Sequence, residues 1–334
     1  YEPDWVRVWL PATTLDREFL ALDVAFPSNG HDVSKPVFFF LHGLNGGSRE
    51  GYVLDLTKRA NRRGSTVVVM IARGLMDTPV RSWHFFHGAR LSDAHDAATT
   101  VRKALHPGQI LVGTGFSMGA IILNNYVATS GPGCALDAAF SISGALDCRD
   151  ELNDTRSHVL WQPMMADFLR SNFLLNKWGK RIHARLNNQE MGQLMRATSV
   201  VEFDGIAAGY PGYDSLSHFY TEMSALGDIP QEDYYVNSST SFVSSKIANV
   251  SIPLCVMHAL DDPISTWRTV AANEGFMRPE RLVETGRGNL MLLLTKRGGH
   301  VGWPKGFLSY RRKWEFMSEA ALEFTDAIVK AKEE

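Results

Sequence analysis

Gly115-Phe116-Ser117-Met118-Gly119 lies between the apolar run QILV and the apolar stretch IILNNYVA. A serine flanked by glycines in this way sits on a sharp strand-to-helix turn, with its hydroxyl held clear of the backbone as a nucleophile. Gly113 and Gly115 also begin a phosphate-binding Gly-x-Gly-x-x-Gly, but that motif needs a third glycine where Met118 stands. A serine hydroxyl attacks a carbonyl only when a base takes its proton, and the base needs an acid to orient it and stabilise its charge. Both follow later in the chain. MHALDDP closes the run IPLCV and offers Asp261 and Asp262, and KRGGHVGW follows NLMLLLT and offers His300 on a Gly-Gly turn expected to be flexible. Asp262, directly before Pro263, is the preferred acid; Asp261, and Asp147 just past the run AAFSIS, are the alternatives.

The oxyanion formed on attack needs hydrogen-bond donors at fixed positions, and backbone amides serve best. The N–H of Met118 is one. LHGLNGGS, after the run PVFFF, supplies the second, assigned to the N–H of Leu44, and His42 beside it reads as structural because His300 already fills the role of base. A second dense stretch, SWHFFHGARLSDAHDA, holds His84, His87, Asp93, His95 and Asp96, without His-Glu-x-x-His or any comparable ligand spacing. No metal and no cofactor are expected. Cys134, Cys148 and Cys255 are odd in number and lack Cys-x-x-Cys spacing, so they read as reduced, buried thiols, and the sequons at Asn153, Asn237 and Asn249 are no more than chance supplies.

Positioning these groups requires a regular scaffold. Eight short runs read as strands: WVRVWL, FLALDVAF, PVFFFL, TVVVMIA, QILVGT, DAAFSIS, IPLCVMHA and NLMLLLTK. The first two alternate in polarity and are expected to form an antiparallel edge; from Val37 on the runs are apolar throughout, as in parallel strands covered on both faces. Helices are expected over about 50–62, 90–105, 118–129 and 310–331, so strand and helix alternate in a doubly wound sheet. Residues from about 150 to 245 break the rhythm: no strand of this kind occurs, and Trp161, Met164, Met165, Phe168, Leu169, Phe173, Leu174, Leu175 and Trp178 recur at helical spacing. This stretch reads as a helical cap over the carboxyl edge of the sheet, inserted into one domain spanning 1–334. Of its side chains, Trp161, Met164, Phe168, Phe173 and Trp178 are expected to line the substrate site.

Bulk properties fit an ordinary globule. Of 334 residues 45% are hydrophobic and 21% charged, and the net charge of −2 gives no reason to expect nucleic acid. The longest apolar runs fall well short of the ~20 residues that span a bilayer. The stretch begins at Tyr1 rather than methionine, so an N-terminal leader or anchor is expected outside this sequence; the location is expected to be intracellular, either cytoplasmic or membrane-associated, through peripheral contact or such a segment. Oligomeric state is not legible.

Taken together, PVFFFLHGLNGGS, ARG, FHGARLSDA, GTGFSMGA, FDGIAAGYPGYDSLSHFY, IPLCVMHALDDPI and RGGHVGW resemble the YheT-type branch of the α/β hydrolases, over roughly residues 36–306. That branch includes abhydrolase-domain lipases and medium-chain alcohol acyltransferases. The resemblance implies an α/β-hydrolase fold, a mostly parallel eight-stranded sheet flanked by helices with a helical cap. It also implies a carboxylic ester hydrolase acting on acylglycerols or medium-chain esters, with Ser117, Asp262 and His300 in the triad positions. Ile71 stands where the family has asparagine and Ala89 where it has glycine. A His-x-x-x-x-Asp pattern, associated with acyl transfer, follows none of the 11 histidines. The expected function is therefore a serine esterase or lipase acting on a small-molecule acyl ester. The alternatives are acyl transfer to an alcohol and a catalytically silent lipid-binding protein on the same fold.

Overall fold

The computed structural model describes residues 2–13, 18–82, 86–153, 155–207, 212–235, 241–271, 279–304 and 309–334. Eight strands form one sheet: β1 (Val6–Pro11), β2 (Phe19–Ala25), β3 (Val37–Leu41), β4 (Val67–Ile71), β5 (Leu111–Phe116), β6 (Ala138–Ile142), β7 (Leu254–Ala259) and β8 (Leu290–Thr295). Their order across the sheet is β1-β2-β4-β3-β5-β6-β7-β8. β1 pairs antiparallel with β2, and β2 with β4, while every pairing from β4 to β8 is parallel. The edge expected from the alternating runs is thus observed, and β1 is largely exposed.

β3 to β7 are buried along their whole length because helices cover both faces. Phe38, Phe39 and Phe40 in β3 are closed off from solvent, and Phe40 meets Phe116 of β5 edge-on, with centroids 5.8 Å apart. Each such ring contributes roughly 1.5–3 kcal/mol by burial. β8, at the far edge, is only half-buried, less than its apolar run suggested.

The helices follow the periodicity of their sequences. α1 (Gly51–Arg62) buries Val53, Leu56, Thr57 and Ala60, one stripe at i, i+3, i+4 and i+7. It stops at Gly64, whose φ of 84° lets the chain turn back, with the Ser65 amide donating to the Ala60 carbonyl. α2 (Leu91–Ala104) and α3 (Met118–Ser130) begin within a residue of expectation. α3 is buried nearly all round because it runs through the middle of the molecule.

From Ile142 to Leu254 the described residues contain helices and turns and no strand: α4 (Thr155–Leu160), α5 (Gln162–Leu169), α6 (Gly179–His183), α7 (Asn188–Arg196), α8 (Val200–Ala207), α9 (Leu216–Met223) and α10 (Ser241–Ser244). A single π turn, Arg170–Leu174, extends α5. After β7 come α11 (Arg268–Ala271) and α12 (Pro279–Thr285), and after β8 comes α13 (Glu315–Glu333). α13 starts about five residues later than its periodicity predicts. Ser309–Arg312 form a separate 3-10 turn, and the Lys313 carbonyl accepts a hydrogen bond from the Trp303 amide at 2.8 Å, which ties Lys313 to the loop beside His300. None of the described helices is long and apolar enough to cross a membrane.

Candidate active site

The chain reverses its order at β3, which has β4 on one side and β5 on the other. In open α/β sheets the crevice beyond the carboxyl ends of such strands is where ligands bind. β3 there leads into His42-Gly43-Leu44, and β5 leads into Ser117.

Ser117 alone joins β5 to α3, with φ 52° and ψ −120°, a conformation that strains any residue with a Cβ. Its amide donates to the Ile142 carbonyl at 2.9 Å, which fixes the turn to β6. Both flanking glycines are demanded by space. A Cβ on Gly115 would lie 2.6 Å from the Ala120 Cα, and one on Gly119 would collide with the Leu41 carbonyl oxygen.

Asp262 follows β7 and is 4% exposed. Its Oδ1 accepts the amides of Ile264 at 2.9 Å and Ser265 at 3.1 Å, and its Oδ2 accepts from His300 Nδ1 at 2.9 Å. Burial opposes its charge, but the imidazole and these donors hold the carboxyl below the usual carboxylate range. His300 Nε2 in turn accepts from the Ser117 hydroxyl at 2.7 Å. Residues 183 apart in sequence are thereby joined in one chain of hydrogen bonds.

The alternative acids stand elsewhere. Asp261 Oδ1 accepts from the Gly298 amide at 2.8 Å. Asp147 is held by Arg149 and by the Tyr234 hydroxyl at 2.6 Å. The turn carrying His300, expected to be flexible, is tied on several sides. Val301 N–H donates to Ser143 Oγ at 3.1 Å, and the indoles of Trp303 and Trp314 donate to Thr295 Oγ1 and the Val301 carbonyl. Ser143 was not singled out from the sequence, since nothing around it resembles a motif.

Leu44 and Met118 both line the cavity beside Ser117. The Gly43 amide is already engaged with the Tyr52 hydroxyl at 3.0 Å, which leaves Leu44 as the next donor in that loop. Met118 opens α3, ahead of the first intrahelical bond. His42 is buried, with Nδ1 donating to the Gly43 carbonyl at 2.7 Å and Nε2 accepting from the Ala72 amide at 3.1 Å. Burial lowers its pKa, so it acts as a neutral tie between two loops.

Two spaces meet at Ser117. One is a narrow apolar cavity of about 80 Å³, walled by Phe86, Met118, Ile121, Met165, Leu169, Val200, Phe203, Phe219 and Met223, with Glu151 and Asp204 as its acidic groups. The other is a wider cleft of about 610 Å³ bordered by Asn45, Glu50, Tyr52, Met164, Phe168, Asn172, His300, Lys313 and Trp314. Of the five side chains expected to line the site, Met164 and Phe168 do so. Trp161 and Trp178 line neither space: Trp161 is on the surface, and Trp178 packs beneath the Lys177 ammonium. The Phe173 side chain, His84 and Asn237 lie outside what the structure describes. Val200, Phe203, Phe219, Tyr220 and Met223 were missed, because helical periodicity marks an apolar face without saying whether it meets core or cavity.

The His/Asp-rich stretch is otherwise engaged. Asp93 forms a buried two-point ion pair with Arg73, at 2.6 and 2.7 Å. Asp96 accepts from the Thr13 amide and hydroxyl, His95 stacks near Tyr126, and His87 lies against Phe219. Ala89 packs on the cluster of Ile121, Phe219 and Met223 beside the narrow cavity, and Ile71 is buried in β4. All three cysteines are free; Cys134 is only half-buried.

Among solved structures, a highly thermostable carboxyl esterase from Bacillus coagulans in complex with glycerol superposes with a TM-score of 0.55 over 97% of this chain and 99% of that one, at 14% identity. The chain has the α/β-hydrolase fold. No protein-family model matches it. It is 25% identical to phospholipase ABHD3 of Mus musculus over 89% of its own length and 64% of that protein's. It is also 25% identical to the putative esterase YheT of Escherichia coli K12, over 94% of its own length and 82% of that protein's. It thus spans slightly less than two thirds of the mouse relative, and its relatives are those of the YheT-like, abhydrolase-domain branch that the motifs resemble.

Proposed function

We propose that this protein is a serine carboxylic ester hydrolase, an esterase or lipase, that cleaves medium- to long-chain acyl esters such as monoacylglycerols through an acyl-enzyme on Ser117. The observation that carries this reading is the Ser117 hydroxyl bonded to His300 Nε2 where a narrow apolar cavity meets a wider cleft. The relatives, a phospholipase and a putative esterase, support ester chemistry.

In this mechanism Ser117 Oγ attacks the ester carbonyl carbon while His300 Nε2 takes its proton, and Asp262 stabilises the imidazolium. The amides of Leu44 and Met118 hold the oxyanion, each worth roughly 3–4 kcal/mol. The imidazolium returns the proton to the leaving alcohol oxygen as the C–O bond breaks. Water, deprotonated by the same imidazole, then releases the carboxylic acid and restores the serine. The acyl chain occupies the narrow cavity and the alcohol portion leaves by the wider cleft. In the same reading the molecule is one domain, and helices within about 150–245 form a cap supplying one wall of each space.

The test is labelling by a fluorophosphonate, read by peptide mass at Ser117, together with kcat/KM for p-nitrophenyl esters from two to sixteen carbons. Adduct formation at Ser117 and an optimum beyond acetate support the reading. A folded protein that takes no label has another function.

A further inference from the structure

Beyond that function, the surface of the helical stretch carries an unpartnered feature. α4 and α5 form one nearly continuous path, because the Trp161 amide donates to the Ser157 carbonyl at 3.0 Å and the Met165 amide to the Trp161 carbonyl at 3.3 Å. Ser157, Gln162, Ala166 and Leu169 face inward and are buried. Leu160, Met164 and Phe168, spaced by four, form a ridge on the outer side and are each about half exposed, joined by Val159 at 73% and by Trp161. A contiguous row of large apolar side chains in solvent marks a surface that meets something apolar.

Charge says what. Between 155 and 200 there are seven Lys or Arg against two Asp or Glu, in a chain whose net charge is −2. Arg156, Lys180, Arg185 and Arg196 are exposed. An exposed apolar ridge on a helical stretch rich in basic residues is the composition that lies in an anionic lipid interface. Position agrees, because Met164 and Phe168 of this ridge are also a wall of the cleft at Ser117, with Lys313 and Trp314 on its border.

We propose that the exposed ridge of α4 and α5 seats the molecule on an anionic lipid bilayer, with the cleft opening at the membrane. Lipid substrate then passes from the bilayer to Ser117 without crossing water. The inference adds to the ester-hydrolase reading, but binding is measured without turnover. A chain that binds vesicles yet cleaves no ester sinks that reading and leaves this one standing.

The experiment is co-sedimentation of the full chain with vesicles of phosphatidylcholine, with and without phosphatidylserine, at two ionic strengths. The expected result is binding that requires phosphatidylserine and weakens as salt rises. Val159→Ser combined with Leu160→Ser should lower vesicle affinity tenfold or more, on the order expected for two lost apolar contacts. Lys180→Glu combined with Arg196→Glu should weaken it by about fivefold or more per charge. Neither pair lines the cavities, so turnover of a water-soluble short ester should be unchanged, which also reports that both variants fold. Wild-type protein that stays in the supernatant with both vesicle types, as it would if the ridge received a protein partner, overturns the proposal. So does binding that neither salt nor the substitutions alter.

Discussion

His258 Nε2 donates to the Ser265 carbonyl at 2.8 Å, across the turn that presents Asp262. The Ser265 and Ile264 amides are the donors that hold Asp262 Oδ1, so His258 fixes the acid at one remove. The ring is buried, and burial lowers its pKa, keeping it neutral. His258→Leu leaves the Ser265 carbonyl without that donor at a cost of about 1–3 kcal/mol. We expect kcat to fall with KM little changed, and esters hydrolysed at saturating and limiting concentration separate the two. The unfolded chain takes the proton first, so the neutral ring's contribution is present above about pH 6.5 and is lost as pH falls below it. Urea midpoints of wild type should therefore drop on acidification more than those of His258→Leu.

Ser117→Ala should abolish ester hydrolysis by a factor on the order of a thousand or more. Ser117→Gly should be equally inactive but more stable, because φ 52° and ψ −120° strain any side chain. A gain of about 1–3 kcal/mol over Ser117→Ala is expected. Thermal melts of the pair read it directly, and equal melting temperatures would show that the turn stores no strain.

Asp262→Asn should lower kcat about a thousandfold or more, since the amide no longer holds the His300 tautomer that accepts the serine proton. Asp261→Asn removes only a charge from the bond to the Gly298 amide and should cost less than about tenfold. Kinetics on one ester decides the register. If Asp261→Asn is the inactive protein, the hydrogen bonds seen around Asp262 serve structure alone.

Asp204 lines the narrow cavity with its carboxyl surrounded by protein, and burial, opposed by the Tyr220 hydroxyl at 3.0 Å, pushes its pKa up to about 7. Below that pH Asp204 adds no charge to the cavity wall; above it, an alkyl chain must cover its carboxylate. The ratio of kcat/KM for octanoyl over acetyl esters should therefore fall as pH rises through about 7, and in Asp204→Asn it should be flat. The folded carboxyl also keeps its proton where the unfolded chain has lost it, so Asp204 lowers stability as pH rises from about 4 to about 7, and Asp204→Asn removes that slope.

What could be read in advance divides by kind of information. Apolar runs flanked by turn residues located all eight strands, because a strand buried on both faces leaves a local signature. The serine turn was legible for a similar reason: Gly115 and Gly119 answer steric demands within a few residues. The acid was legible as a preference for Asp262, since Asp261, Asp262 and Asp147 all follow strand ends, and the path of the chain decides which meets His300. The cavity walls were legible in part. Met164 and Phe168 face the cleft while Trp161, on the same stretch, faces solvent, and their spacing alone does not tell a lining face from an outer one. His258 and Ser143 left no signal, because one hydrogen bond to a distant loop imposes no local pattern.

The hydrogen bond between Ser117 and His300 closes a separation of 183 residues. Parallel pairing across β5, β6, β7 and β8 must be complete before the two side chains can meet, and each pairing closes a loop before any contact rewards it. Sheets of this kind form slowly, with collapsed species along the way that already contain helix. During synthesis Ser117 leaves the ribosome well before residue 300 does. A nascent chain thus holds Ser117 for a period without the imidazole that activates it, until the last strand joins.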